Sequence, residues 1–424
     1  MHSLSMSIQV RLLSLFMQGH FCLCKRTVFL KLIHTFRQTE LGLNYRVILA
    51  AFTMAFFAWG MIFYAHGVFK AVLEEKHGWS SSFMSLAQSW FWFVGAISAF
   101  AVGTMIDRYG ARTVAYYGVC ATAVGLVSIS LVYEPWQLFL AFFILATAYP
   151  TIGNLGISAA LAPIFEVRYA AALSLALTGA SVGGAIVTPA YIFLTKDLGF
   201  ELASWVLAIA TLVVLSPILL WLPSSTPTKE LNIDVEEQDV FRNSLRSPVF
   251  WVIFLTSFFS FTGQVGFLFQ EISIFQPRMG LENAGYAVSL TVIGAAFGRF
   301  ILGWTAELFQ LRLVAAAVYV VQAAGLFIAF LFDGVLTSYI AAFIIGLAVG
   351  PVVMLPAMLI RGAFGAKGFG KMFGLASIGM FAGMMIGPSI TGITAASFGF
   401  EIALLCLLIS DVVAAILIFL ERLE

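Results

Sequence analysis

Twelve long, almost uninterrupted apolar runs dominate this sequence, and no other feature constrains its fold as tightly. A bilayer core about 30 Å thick takes a helix of about 20 apolar residues. The only other spanning solution is a closed β-barrel, built from strands of about ten residues with alternating polarity. The runs here are longer and do not alternate, so they are predicted to be helices. They cover about 46–69, 84–104, 113–133, 136–160, 171–195, 201–222, 249–272, 284–304, 312–332, 336–360, 371–395 and 399–420. The fold class that follows is an all-α polytopic membrane protein.

Composition supports this and removes several functions. Of 424 residues, 61% are apolar and 10% charged, against roughly 25% charged in a soluble domain. That is too little polar surface to coat a soluble fold and too apolar for disorder. With 22 Lys and Arg against 21 Asp and Glu, there is no cationic excess for nucleic acid. Cys22, Cys24, Cys120 and Cys406 provide neither a disulfide framework nor a metal cluster. No phosphate-binding G-x-x-x-x-G-K-S/T loop is present, so ATP drive is not expected. Neither enzymatic activity nor a cofactor is expected.

The few charges are informative by position. The longest polar stretch between spans, Pro223 to Pro248, divides them six and six. The predicted organisation is a basic extension over 1–45 outside the fold, a six-helix bundle over 46–222, a cytoplasmic linker over 223–248 and a second bundle over 249–424. With the N-terminus placed inside, 17 Lys and Arg fall on the cytoplasmic side. Four (Lys70, Lys76, Lys196 and Arg278) fall outside, and Arg299 alone lies within a span. The positive-inside rule then puts both termini in the cytoplasm, and the plasma membrane is the expected location. Residues 1–39 contain Arg11, Lys25, Arg26, Lys31 and Arg37 but no acid. They read as a surface-bound amphipathic arm, a transit segment or an over-long reading frame.

The two halves echo each other. Gly103, Asp107 and Arg112 follow the second span, and Gly303, Glu307 and Arg312 follow the eighth at an offset of 200. Gly183 and Pro189 in the fifth span match Gly383 and Pro388 in the eleventh, and Pro150 in the fourth matches Pro351 in the tenth. Several matches at offsets of 199 to 201 indicate an internal duplication, hence two pseudo-symmetric six-helix bundles, as in many transporters.

The loop Gly103, Asp107, Arg108, Gly110, Arg112 resembles the G-x-x-x-D-R-x-G-x-R/K signature of the major facilitator superfamily, in the right place between the second and third spans. The resemblance covers about residues 45–422. It implies a gating element in which acid and base pair across the gap between helices in one transporter state and release in the other. Gly303, Glu307 and Arg312 are its decayed second copy.

Ionisable residues inside spans are costly and are candidates for function. Arg299 in the eighth span leads: a buried guanidinium offers a planar fork of donors to a carboxylate. The competing reading is a side chain that snorkels to the cytoplasmic end. Arg299 followed by Gly303 resembles the monocarboxylate transporter and oxalate:formate antiporter group. So does the stretch from Gly67, Val68 and Phe69 to Gly78, Trp79 and Ser80. In that group the corresponding Arg binds the substrate carboxylate. This sequence departs from the group at three places. Ala295 stands where animal monocarboxylate transporters carry Asp, Lys70 lies at the outer end of its span, and Lys371 lies at the mouth of the eleventh span. One buried cation suits a monoanion better than a dicarboxylate.

Around this anchor, Tyr64 and Asn154 are expected to bind substrate. Gln88, Ser260, Thr262 and Gln264 are further polar candidates, and Trp90 or Trp92 is expected to line the cavity. His66 and Asp411 are candidates for proton coupling, the first because imidazole titrates near neutrality. Glu271 is expected to face outer water near Arg278. The predicted function is secondary transport of a small organic monocarboxylate with proton symport or anion exchange. The protein would act as a monomer, with the anion, protons and the bilayer as its only partners. The alternative is an exporter of hydrophobic drugs or metabolites. Against it, the G-x-x-x-G-P-x-x-G pattern that exporters place in the fifth span stands here in the eleventh, from Gly383 to Gly392.

Overall fold

The computed structural model describes residues 40–224 and 241–421. The basic arm and most of the linker lie outside the described residues, as do the expectations that concern them. A short helix spans Glu40–Leu43. Twelve helices among the described residues are long and apolar enough to cross a bilayer. In chain order α1–α4 are Tyr45–His77, Phe83–Tyr109, Ala111–Ser130 and Pro135–Leu161; α5–α8 are Tyr169–Leu198, Phe200–Trp221, Pro248–Gly280 and Glu282–Leu308; α9–α12 are Leu311–Leu331, Val335–Phe364, Phe369–Phe398 and Phe400–Leu420. Each predicted span is found. Several helices overrun their apolar run by one or two turns, because the helix continues into water where the apolar stretch stops.

Local sequence explains where the helices end. Ser80 caps the start of α2, its Oγ accepting from the Phe83 amide at 3.2 Å. Glu134 and Gln137 form a capping box ahead of α4, with Pro135 in the first turn. The turn from α2 to α3 passes through Gly110 at φ 82°, a conformation that strains any residue with a Cβ. The decayed copy no longer needs it: the turn from α8 to α9 runs through Phe309 at φ −125° and Gln310 at φ −58°. Within α4, Pro150 lacks a donor, and the helix breaks at Gly153 before resuming at Asn154.

Packing repeats the duplication seen in the sequence. α5 lies on α1 so closely that a Cβ at Gly179 or Gly183 would come within 2.1 or 2.2 Å of the Phe52 or Phe56 carbonyl oxygen. α11 lies on α7 in the same way, Gly379 and Gly383 against Phe254 and Phe258 at 2.6 and 2.4 Å. Small residues at matched positions join the first and fifth helices of each half, the pattern by which helices associate where lipid removes the hydrophobic drive.

The halves meet along two related seams. On one, α2 meets α11, with a Cβ at Gly103 predicted 2.1 Å from the Gly370 carbonyl oxygen. On the other, α5 meets α8, where Gly303 faces Ser174 and Ala171. Gly103 and Gly303 differ by 200, as do Gly370 and Ala170, so the seams are pseudo-two-fold mates. Both lie toward the face that carries Asp107, Arg168 and Arg361, called the basic face below.

Candidate functional site

A cavity lies between the two halves, where the middle parts of several helices converge. α1 supplies Trp59, Phe63 and Tyr64, and α4 supplies Tyr149, Pro150 and Asn154. From the second half come Gln264 on α7, Arg299 on α8, Val349 and Val353 on α10, and Ser377 and Phe381 on α11. The cavity has room for roughly four waters. This closed form therefore accommodates a small solute.

The lining of α1 has a local cause. Residues Ala58–Phe63 are wound as a π-helix, and the Tyr64 amide donates to the Trp59 carbonyl five residues back at 2.8 Å. Such widened turns recur at functional sites because they rotate the following side chains relative to a regular helix. Here the rotated residue is Tyr64, which faces the cavity and packs against Gly184.

Arg299 is 3% exposed and does not snorkel. Its Nη1 donates to Ser181 Oγ at 2.5 Å, across the seam on α5. Its Nε is buried without a hydrogen-bond partner. An unmade bond to a buried donor costs about 1–3 kcal/mol, more for a charged group, so the guanidinium keeps an unused donor. Gly298 and Gly303, the small neighbours in sequence, pack on Leu347 and Ser174 instead. The room for Arg299 comes from Gly350 on α10, where a Cβ would meet Arg299 Cγ at 2.7 Å.

Gln264 supplies the complementary group. Its Nε2 donates to the Val349 carbonyl at 3.3 Å, and its buried Oε1 has no partner. The Val349 oxygen can only accept, so the amide cannot be turned over, and an acceptor is left in the cavity wall. Tyr64 and Gln264 differ by 200 and occupy matched positions on α1 and α7; Ser181 and Phe381 are likewise matched on α5 and α11. The backbone of the site is thus two-fold while its polarity is one-sided, with the cation on the second half only. Gln264 appears among the sequence candidates but is not singled out there; Tyr149, Ser181 and Ser377 are missed.

Asn154 reaches the cavity with its polar atoms already used. Nδ2 donates to the Val353 carbonyl on α10 at 2.7 Å, and Oδ1 accepts from Ser158 at 3.2 Å. Arg361 Nε repeats the tie about two turns closer to the basic face, donating to the Ala162 carbonyl at 3.1 Å. Asn154 therefore straps the halves together beside the cavity.

The remaining candidates lie elsewhere. Trp92 touches the aromatic wall through Phe63, Tyr149 and Phe381, while Trp90 donates to the Phe139 carbonyl. His66 is buried among Phe69, Phe91, Trp92 and Phe142. Its Nδ1 lies 2.6 Å from the Ile62 carbonyl, and its Nε2 has no partner. Asp411 is fully buried on α12, where Gln322 Nε2 on α9 donates to both carboxyl oxygens at 3.0 Å. Gln322 also donates to the Ser260 carbonyl of α7 at 3.2 Å. The expectation for Glu271 is corrected: it is 2% exposed and bonded to Thr291, while Arg278 pairs with Asp333 at 3.0 Å. Overrunning its apolar stretch, α7 carries Glu271 inside the bundle rather than to water.

At the basic face, Asp107 meets the N-terminus of α11. Its Oδ1 accepts from the Gly370 amide at 2.9 Å and its Oδ2 from the Lys371 amide at 2.6 Å. A carboxylate from one half thereby caps a helix of the other, where free amides and the helix dipole both favour negative charge. The bond across the gap is to backbone amides, a partner that reading acid against base does not anticipate. Arg112 is half-buried, and Arg108 stacks on Tyr109. In the second copy, Glu307 is exposed and Arg312 donates to the Glu421 carbonyl at 2.8 Å, at the end of α12.

A family model described as Major Facilitator Superfamily matches residues 47–288, more than half of the chain. No curated protein matches. Among solved structures, the fucose:proton symporter FucP of E. coli superposes with a TM-score of 0.67 at 15% identity, over 88% of this chain and 98% of that one. The proton:xylose symporter XylE, bound to 6-bromo-6-deoxy-D-glucose, gives 0.69 at 13% identity, over 89% of this chain and 95% of that one. At these identities the likeness is one of fold.

Proposed function

Because the chain belongs to the major facilitator superfamily, we propose that it is a secondary active transporter that moves a small organic monocarboxylate by alternating access, driven by proton symport or anion exchange. The observation that carries this reading is the buried Arg299, which lines a central cavity and whose Nε has no hydrogen-bond partner. A single cation there neutralises a single negative charge, and a dicarboxylate would bring a second charge into low dielectric unpaired. The size of the cavity favours a solute of a few heavy atoms. Two of the solved symporters carry sugars with protons, but a sugar needs many hydrogen-bonding groups. Here Asn154 is already engaged, which leaves Tyr64, Tyr149, Gln264, Ser377 and Arg299.

In this reading Arg299 anchors the carboxylate, Tyr64 and Gln264 orient the rest of the solute, and Asn154 ties the halves in this state. Asp107 on the end of α11 holds the basic face shut, together with Gly103, Arg108, Gly110 and Arg112. Gly303, Glu307 and Arg312 mark the matching seam. The basic face is assigned to the cytoplasm and the protein to the plasma membrane as a monomer with both termini inside, the polar stretch 223–248 linking its two bundles. His66 and Asp411 are the sequence candidates for coupling to protons.

Uptake of labelled lactate, pyruvate or formate into proteoliposomes tests the reading. Arg299→Ala leaves the cavity without its cation and is expected to reduce carboxylate uptake at least 30-fold, in line with about 2 kcal/mol or more for one partner of a buried charge pair. Wild-type rates in that variant would sink the anchor assignment.

The aromatic lining of Trp59, Phe63, Tyr149 and Phe381 favours a second reading, export of hydrophobic compounds. A growth-inhibition panel in an efflux-deficient host separates the two. Resistance conferred by the wild-type chain and by Arg299→Ala alike would select the exporter.

A further inference from the structure

Glu271 stands apart from the buried Asp411 and His66 in what its partner can do. It lies on α7, and its one hydrogen-bond partner among the described residues is the Thr291 hydroxyl on α8, 2.6 Å from Oε1. The same hydroxyl lies 3.1 Å from the Ala342 carbonyl on α10. A hydroxyl carries one proton and can also accept. Facing a carboxylate, Thr291 donates to Glu271. Facing a protonated carboxyl, Thr291 accepts from Glu271 and turns its own proton to Ala342. Both protonation states of Glu271 are thus satisfied without moving a heavy atom.

Neither Asp411 nor His66 has this provision. Asp411 meets the Nε2 amide of Gln322 on both oxygens, a group that only donates and is anchored on the Ser260 carbonyl. A proton on Asp411 would face a donor. His66 has an acceptor at Nδ1, the Ile62 carbonyl, and none at Nε2, so a second ring proton would have no acceptor.

The surroundings of Glu271 hold no compensating charge. No described Lys or Arg is within ion-pair distance of it. Farther along α7, Arg278 is engaged by Asp333 and by the Ala329 and Phe332 carbonyls. α8 carries the exposed Glu282 at its start and Arg299 two turns beyond Thr291; α10 carries Tyr339, bonded to Asn283, and Arg361 at the basic face. α11 has Lys371 at the basic face, and α12 has the exposed Glu401 and the buried Asp411. Leu268, one turn before Glu271 on α7, lines the cavity, as does Gln264 one turn earlier.

We propose that Glu271 is the proton-carrying group of this transporter, paired in charge with Arg299. The inference rests on the monocarboxylate reading above. The empty carrier holds the Arg299 cation and the Glu271 anion, which sum to zero. The loaded carrier holds Arg299 with the substrate anion and Glu271 with a proton, which also sum to zero. The proton adds to a Glu271 carboxylate oxygen on one side of the membrane and leaves it on the other, one per anion. Transport is therefore electroneutral, and net charge stays off the moving part in the low-dielectric interior, where it would be costly.

The test uses full-length protein in proteoliposomes with labelled lactate. It compares accumulation driven by an inward proton gradient with counterflow between equal pools. Glu271→Gln keeps an acceptor for Thr291 and removes the titration. It is expected to retain counterflow within about twofold and to lose accumulation, from tenfold or more to about one. Its net flux is expected to become sensitive to a potassium–valinomycin potential, because its empty form carries the uncompensated Arg299 charge. Glu271→Asp is expected to keep accumulation. Accumulation by Glu271→Gln at the wild-type level overturns the proposal. Loss of counterflow as well as accumulation in both variants also overturns it, since that marks Glu271 as a helix clamp. Absence of counterflow in the wild type for lactate, pyruvate and formate refutes the monocarboxylate reading itself, and this inference with it.

Discussion

Removing the carboxylate of Asp107 should open the basic face by a predictable amount. Asp107 accepts from two amides at the start of α11, at 2.9 and 2.6 Å, and it comes from the opposite half. These bonds can exist only while α2 and α11 are apposed, so they count fully toward the closed state and not toward the open one. Each exposed bond of this kind contributes about 0.5–1.5 kcal/mol net, and an anion at a helix start adds roughly 0.3–1 kcal/mol. Water reaches Asp107 and replaces part of this when the face opens, so about 2 kcal/mol is the reasonable total. Asp107→Ala is then expected to shift the ratio of open to closed molecules by about 30-fold. Spin labels at the exposed positions Thr113 and Gly362 would report the change as a growing long-distance population. The exposed Cys120 must first be replaced. Glu307→Ala is the internal control: Glu307 is exposed, with no hydrogen bond to α5 in the structure, and it should shift the ratio less than twofold. An unchanged distance distribution in Asp107→Ala, or an equal shift in Glu307→Ala, would refute the reasoning.

Two further outcomes follow from the buried polar groups. The unpartnered Gln264 Oε1 needs a donor, so Gln264→Met is expected to erase selectivity for a hydroxy acid over the matching acid without a hydroxyl. Competition uptake of lactate against propionate should lose about tenfold, near the 1.4 kcal/mol of one good hydrogen bond. Gln322→Leu removes the donor that Asp411 has among the described residues and should lower the melting temperature measured in detergent. Adding Asp411→Leu to that variant should recover part of the loss, because a buried carboxyl without a partner costs more than an apolar pair of similar shape.

The sequence by itself determined the solvent of this protein and therefore its architecture. Lipid permits only helices or closed barrels, and twelve apolar runs of helical length leave one choice. Because charges are so scarce, each was informative alone: Arg299 stood out as the one cation within a span, with snorkelling left open, and the Gly103–Arg112 loop as a repeated element, before any packing was known. The sequence could not say which way a polar side chain points. A span that is apolar all round carries no stripe to mark its inward face, so the sequence favoured Asn154 over Gln264 without showing which of them keeps a free polar atom. Packing decided between them, because the Val349 carbonyl uses the donor end of Gln264 and leaves an acceptor over, while Val353 and Ser158 exhaust Asn154. The same holds for the acids. Asp411 and Glu271 are both carboxyls within apolar runs, and only the neighbour each meets, an amide that can only donate or a hydroxyl that can also accept, separates a fixed polar tie from a group able to carry a proton. Those neighbours lie 89 and 20 residues away in the chain. They are brought together by glycine-lined helix contacts whose geometry exists only in the folded bundle.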